Sequence, residues 1–312
     1  MALKEVLEVV DLFDDAKVSG EQVVQLLAAY PGVTVSTQRV TTAKGGTDFV
    51  RIDIPGAAGK STGGQARTLG VIGRLGGIGA RPDRIGLVSD GDGAVAAVAT
   101  ALKLARMHER GDQLTGDVLI ATHICPDAPT LPHEPVEFMD SPVDIATMNA
   151  HEVIPEMDAI LSIDTTKGNR IVNHRGVAVS APVLGGYILR FSEDLLRILE
   201  TVSGVPAQTL PITTQDITPY GNGIHHINSI LQPAVTAQVP VVGVAITAQS
   251  VVPGSATGAS HETDIALAAR FAIEVAKEFG IERAAFIDEA EYASLVDLYG
   301  SLEHLYVPPA PA

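Results

Sequence analysis

The segment SDGDGAVAAVATALKLA, residues 89–105, decides the fold class. Its second part is a run of small and aliphatic helix formers. A stretch rich in branched residues precedes it at 84–88, and an apolar stretch follows a Gly-Asp turn at 118–122. This order predicts a strand, a helix and a second strand, which is the repeating unit of α/β proteins.

The rest of the chain keeps the same alternation. Strands are predicted at 33–40, 49–54, 68–72, 159–163, 177–183, 210–213 and 240–246, and helices at 3–13, 21–30, 148–152, 192–202, 224–231 and 262–279. Ser19 with Gln22 forms a capping-box pattern before the second helix. We therefore expect a single α/β domain over 1–312, a three-layer sandwich with a mostly parallel central sheet and helices on both faces. It would begin with a helical segment at 3–30 and end in a proline-rich tail at 306–312.

Composition, charge and the lengths of the apolar stretches argue against several classes of function. The formal net charge is −16 and aromatic residues make up 4% of the chain, which disfavours a nucleic-acid-binding protein. The apolar stretches are too short to span a membrane, and the charged amino-terminal helix does not resemble a signal peptide. The single cysteine, Cys125, excludes an intramolecular disulfide. We expect a cytoplasmic protein.

Four polar residues stand where an apolar strand ends or a helix begins. In open α/β sheets, ligands bind outside the carboxyl ends of the strands, so such residues are the first candidates for a site. Asp and His side chains together form a ligand set for zinc, manganese or a related divalent ion. The candidate metal ligands are Asp90, His123, Asp164 and His261.

The order of these residues resembles the co-catalytic zinc aminopeptidases and related metallo-amidohydrolases. Residues 89–105 resemble the family's bridging Asp followed by an Ala-rich helix, with Asp90 in the bridging place. SIDTTKG and ATGASHETD resemble its later ligands through Asp164 and His261, and GDVLIATHICPDAP occupies the place of its acidic pair. In GVIGRLGGIGA, Arg74 and Gly76 stand where the family has its first His-x-Asp, which removes one metal ligand. The whole chain also resembles a conserved bacterial family of unknown function.

The resemblance implies a zinc-aminopeptidase-like fold and a metal-dependent hydrolase that acts on an amide or peptide bond of a small substrate. Zinc is the first expectation for the metal, with manganese, iron or nickel as alternatives. Asp127 or Glu262 would take a proton from the attacking water. The substrate would be a small molecule or short peptide, and the protein would form a homo-oligomer. The alternative is a metal-free small-molecule-binding or regulatory protein that retains the hydrolase fold, in which Arg74 pairs with Asp90.

Each candidate site residue also has a simpler, purely structural interpretation. Asp90 could cap a helix, Asp164 could begin a turn, and His123 could be a core histidine. Within TPYGNGIHHINS, His225 and His226 are candidate substrate contacts, although two adjacent side chains cannot face the same side. Arg74 is the third candidate for substrate binding. The segment PGAAGKSTGG lacks the first glycine of a phosphate-binding loop and is not interpreted as one.

Overall fold

The computed structural model describes residues 2–166, 168–252 and 254–306. Its helices are α1 Leu3–Phe13, α2 Gly20–Leu27, α3 Asp92–Glu109, α4 Ile145–Glu152, α5 Glu193–Ser203, α6 Glu262–Phe279 and α7 Glu289–Tyr299. Its strands are β1 Thr34–Thr42, β2 Gly45–Ile54, β3 Leu69–Gly73, β4 Val118–Ile124, β5 Thr130–Leu131, β6 Phe138–Met139, β7 Ala159–Thr165, β8 Gly176–Ser180, β9 Val183–Leu184, β10 Tyr187–Ile188, β11 Gln208–Leu210 and β12 Val241–Thr247.

The centre of the fold is one large sheet with the strand order β1-β2-β4-β3-β7-β12-β8-β11. The four strands β4, β3, β7 and β12 run parallel to one another. Antiparallel pairings flank this parallel centre, between β2 and β4 on one side and between β12 and β8 on the other. All residues of β3, β4 and β12 are buried, because both faces of these strands are covered.

Helices cover the two faces of the sheet unequally. On one face, α1, α3 and α6 pack together, and α3 is buried along most of its length. The small side chains of α3 allow this close contact with the strands. On the other face, α4 and the 3-10 helix Gln232–Val235 pack over a second apolar cluster. No helix of the described residues is long and apolar enough to cross a membrane.

Two predicted elements are wrong. Residues 84–88 are irregular instead of forming a strand, because Gly86 has a φ of 82° that breaks the extended conformation, and Ile85 is 88% exposed. Residues 224–231 do not form a helix. The carboxylate of Asp216 accepts hydrogen bonds from the backbone N–H groups of Ile227 and Asn228, and these bonds hold the segment in an irregular conformation.

Candidate functional site

Three polar side chains form a row at the carboxyl ends of adjacent parallel strands. Gly73 of β3 pairs with Thr122 of β4 and with Ile163 of β7. The residues that follow these three are Arg74 directly after β3, His123 in β4 and Asp164 in β7. The Arg74 N–H extends the strand pairing by donating a hydrogen bond of 2.7 Å to the Ile163 carbonyl. The Gly73 α-carbon faces α3, so the three following side chains point to the opposite face, towards α4.

Asp90 reaches the same edge from the turn before α3. This turn is a 3-10 helix, Ser89–Gly91, and its Ser89 carbonyl accepts a hydrogen bond of 2.7 Å from the Thr165 hydroxyl at the end of β7. Asp90 is buried, and no described group donates a hydrogen bond to its carboxylate. Burial raises the pKa of Asp90 well above its usual range, and the neighbouring charges of Asp164 and Asp92 raise it further.

Gly93 explains how the start of α3 comes so close to the strand ends. A Cβ at this position would lie 1.9 Å from the Arg74 carbonyl oxygen and 2.5 Å from that of Ile163. Only glycine fits this contact, so the glycine that follows the Asp90 turn in the sequence has a definite packing role. It places Asp90 beside the ends of β3 and β7.

Asp164 is the second buried carboxylate of the site. Its Oδ1 accepts from the Thr165 N–H at 2.7 Å, and its Oδ2 accepts from the Ser229 hydroxyl at 3.1 Å. Burial raises the pKa of Asp164 to about 6, although these two hydrogen bonds act in the opposite direction. No described cation forms an ion pair with either Asp90 or Asp164. Two mutually repelling buried carboxylates therefore lie at one edge of the sheet.

A buried polar network holds Arg74 and His123 at the same edge. The Arg74 Nε donates to Glu152 Oε2 at 2.6 Å, and Nη2 donates to Asn149 Oδ1 at 2.7 Å. The other Glu152 oxygen is 2.6 Å from His123 Nδ1. Burial alone would raise the pKa of Glu152, but Arg74 and His123 lower it below its usual value. The expected contact between Arg74 and Asp90 is replaced by this pairing with Glu152.

The hydrogen bonds of His123 determine its tautomer. The Gly76 N–H donates to His123 Nε2 at 3.0 Å, so Nε2 must be unprotonated. Nδ1 therefore carries the proton and donates it to Glu152. Both ring nitrogens are engaged, and His123 as placed here has no free nitrogen to offer a metal ion.

The predicted substrate contacts lie on the loop beside Asp164. His226 stacks on the ring of Tyr220 with centroids 4.4 Å apart, whereas His225 is exposed. Burial raises the pKa of Tyr220, and the charges of Asp164 and Asp216 raise it further, so its phenol stays protonated at neutral pH. Tyr220 is therefore near enough to Asp164 to be affected by its charge.

The remaining candidates lie at the margin of the site. Asp127 and Glu262 are both exposed, and Glu262 is in the first turn of α6. His261 is the N-cap residue of α6, and its Nδ1 is buried without a partner among the described residues. The residue before it, Ser260, donates to the carboxylate of Asp92, which ties this helix start to the start of α3. Burial raises the pKa of the Cys125 thiol to about 12, so it is not a ready nucleophile.

The donor set decides which metal the site could hold. Among the described residues, no group of three or more His, Cys, Asp or Glu side chains is arranged to hold a metal ion. That does not fit a closed zinc site with four protein ligands. Asp90 and Asp164 are carboxylates, the type of donor that magnesium and manganese prefer, and these ions complete their coordination with water.

The sequence did not identify Glu152, Asn149, Ser229 or Tyr220 as site residues. Glu152 and Asn149 belong to α4, and Ser229 belongs to a loop that was predicted to be helical. None of them follows an apolar strand. The only signal was the polar character of the weakly helical segment at 148–152.

Solved structures that resemble this fold include leucine aminopeptidases and a bottromycin maturation enzyme. A leucine aminopeptidase of Caenorhabditis elegans aligns with a TM-score of 0.55 and 11% identity over 89% of this chain and 65% of that chain. A mutant tomato leucine aminopeptidase aligns with a TM-score of 0.54 and 11% identity over 87% of this chain, which spans 61% of the tomato enzyme. The bottromycin maturation enzyme BotP, in complex with Mn, aligns with a TM-score of 0.52 and 13% identity over 87% of this chain and 71% of that chain. These likenesses confirm the expected aminopeptidase-like fold.

By sequence, the chain matches a family whose description names no activity. A family model described as "Protein of unknown function (DUF1177)" matches residues 38–308. No curated protein matches the chain by sequence. The expected resemblance to a family of unknown function is thereby confirmed.

Proposed function

Because this chain belongs to the DUF1177 family of proteins of unknown function, we propose a function from its site: a metal-dependent hydrolase that cleaves an amide or peptide bond of a small substrate. The observation that carries the proposal is the pair of buried carboxylates, Asp90 and Asp164, at the carboxyl ends of parallel strands. Ligand sites of α/β proteins lie at this edge. The proteins with a similar fold include the bottromycin maturation enzyme BotP, solved in complex with Mn.

Asp90 and Asp164 would hold the metal, and manganese suits these oxygen donors better than zinc. His261 is a further candidate ligand, because its Nδ1 has no described partner. A bound divalent ion would polarise the scissile carbonyl and lower the pKa of a bound water. Ser229 and the Thr165 N–H hold the Asp164 carboxylate in one orientation, so that its free lone pairs face a fixed direction.

The remaining steps would depend on side chains at the rim. Asp127 and Glu262 are the candidates to accept a proton from the attacking water, since both are exposed carboxylates near the strand ends or the start of α6. Tyr220 keeps its phenol proton and could donate it in a hydrogen bond to the substrate, with His226 stacked against its ring. His225 and Arg74 remain predictions as substrate contacts. Cytoplasmic location and self-association also remain predictions.

The metal-free alternative also has one observation in its favour. The described residues contain no group of three potential metal ligands. In that case Asp90 and Asp164 would bind a cationic group of a small molecule instead of a metal ion, and the protein would be a binding or regulatory protein. The sequence-based form of this alternative required an Arg74 to Asp90 pair, and Arg74 pairs with Glu152 instead.

Elemental analysis and a hydrolysis screen together test the proposal. The full chain would be purified without chelator, analysed for metal, and incubated with manganese and a set of dipeptides and small amides. We expect a divalent ion in the protein and cleavage that disappears in Asp90→Asn. Asp112→Asn, at an exposed carboxylate just after a turn, is the matched control and should keep both the metal and the cleavage. A protein without metal even after reconstitution, and without hydrolysis, would favour the metal-free alternative.

A further inference from the structure

The central sheet ends on one side in a long strand whose outer edge is open. This strand is β1, the first in the sheet order, and its backbone groups form hydrogen bonds with β2 alone among the described residues. None of its nine residues is buried. In an antiparallel strand, alternate N–H and C=O groups point away from the partner strand. The outer edge of β1 therefore presents a row of backbone donors and acceptors to the solvent.

The two edges of the sheet differ in their protection against pairing with another chain. Proteins protect an edge strand by making it short or by placing proline, lysine or a bulge in it. At the opposite edge, β11 has only three residues and lies between Pro206 and Pro211. β1 contains neither proline nor lysine, and its nine residues pair with β2 one to one without a bulge. The edge formed by β1 is therefore able to accept a further strand.

The side chains of β1 suit a second copy of the same strand. Six of the nine residues are Thr or Val, which pack well against their neighbours across a strand pair. The chain has a net charge of −16, so two copies repel each other overall. β1 carries no carboxylate, and its one charged residue, Arg39, is paired with Asp48 at 2.9 Å. Two copies can therefore approach each other at this edge with little repulsion.

Pairing of the whole strand with its own copy fixes the register. β1 runs from Thr34 to Thr42, and Gln38 is its middle residue. When two antiparallel copies overlap along their full length, Gln38 faces the partner's Gln38 on a two-fold axis. Arg39 then faces the partner's Thr37, so no two like charges lie directly opposite each other.

We propose that two copies of this chain form a dimer by pairing their β1 strands antiparallel, with Gln38 on the two-fold axis. The two central sheets become one continuous sheet across the dimer, and the same surface is used by both copies. This inference is independent of the function proposed above. The candidate site lies at the carboxyl ends of the central strands, whereas β1 is the outermost strand of the sheet.

Analytical ultracentrifugation of the full chain tests the dimer. Wild type should sediment with twice the chain mass of 32.5 kDa. Gln38→Glu places two carboxylates opposite each other and should raise the dissociation constant of the dimer about fivefold or more. Gln208→Glu makes the same change at an exposed position of β11 and is the matched control, which should leave the dimer intact. A monomeric wild type, or a dimer weakened by Gln208→Glu and not by Gln38→Glu, would overturn the inference.

Disulfide cross-linking tests the register and does not depend on weakening the dimer. Opposite residues of antiparallel strands have α-carbons about 4.5 or 5.5 Å apart, a separation that a disulfide can bridge. Gln38→Cys should therefore form a covalent dimer when its thiols are oxidised with copper phenanthroline, whereas Gln208→Cys should not. The native Cys125 is buried and does not compete. A Gln38→Cys protein that stays unlinked where wild type is dimeric would contradict the proposed pairing.

Discussion

Replacing Asp164 with asparagine should stabilise the metal-free protein at neutral and alkaline pH. Burial raises the pKa of Asp164 from 3.8 to about 6, a shift of roughly two units. At about 1.4 kcal/mol per unit, the ionised carboxylate costs the native state on the order of 3 kcal/mol. Asparagine has the same shape, carries no charge, and can keep the hydrogen bonds to the Thr165 N–H and to Ser229.

The pH dependence follows from the direction of the shift. The folded protein binds the Asp164 proton more tightly than the unfolded chain does, so this group lowers stability as pH rises from about 4 through about 6. Below the unfolded pKa the carboxylate is protonated in both states and costs nothing. The advantage of Asp164→Asn should therefore be about 3 kcal/mol at pH 8 and about 1 kcal/mol at pH 4.5.

Urea unfolding in the presence of a chelator measures this advantage. The free energy of unfolding of wild type and Asp164→Asn would be compared at pH 8 and pH 4.5, with Asp112→Asn as the exposed control. The control should differ little from wild type at either pH. An advantage that does not grow with pH, or an Asp164→Asn protein that is less stable than wild type at pH 8, would refute the account of a destabilising buried carboxylate.

Three further variants or treatments test neighbouring parts of the account. Glu152→Gln should have the opposite effect to Asp164→Asn and destabilise the protein by about 3–5 kcal/mol, because Arg74 loses its buried ion-pair partner. An unchanged melting temperature would show that this ion pair does not stabilise the protein. Gly93→Ala should cost roughly 1–3 kcal/mol, because its Cβ would lie 1.9 Å from the Arg74 carbonyl oxygen; Gly258→Ala, with open space around it, is the control, and equal stabilities would contradict the close packing. Cys125 should react slowly with a thiol reagent at pH 8 in the native protein and rapidly after unfolding, because burial raises its pKa to about 12; equally fast reaction in both states would argue against its burial.

The sequence predicts the architecture where apolar patterns are long. The helices α1 and α6 begin and end where the periodicity predicts, and the apolar stretches at 118–122 and 159–163 lie within β4 and β7. In the loops, backbone conformation depends on single contacts. The positive φ of Gly86 interrupts a predicted strand, and the hydrogen bonds to Asp216 hold a predicted helix in an irregular conformation.

The candidate site is predictable only in part, for a similar reason. Asp90 and Asp164 follow apolar strands or precede a helix, so their positions along the chain place them at one edge of the sheet. Glu152 meets Arg74 across 78 residues of sequence, and no local pattern reveals that pairing. The pairing determines the tautomer of His123 and removes it from the set of free metal ligands.

Calorimetric titration of Mn²⁺ into chelator-treated wild type, Asp90→Asn, Asp164→Asn and Asp112→Asn tests the central claim most directly. The claim is that the two buried carboxylates together bind a divalent cation. Wild type and Asp112→Asn should bind with the same affinity, and each of the other two should lose affinity by about a hundredfold or more, since loss of an outer hydrogen bond alone costs 10–100-fold. Equal binding by all four proteins, or no binding by any of them, would contradict the claim.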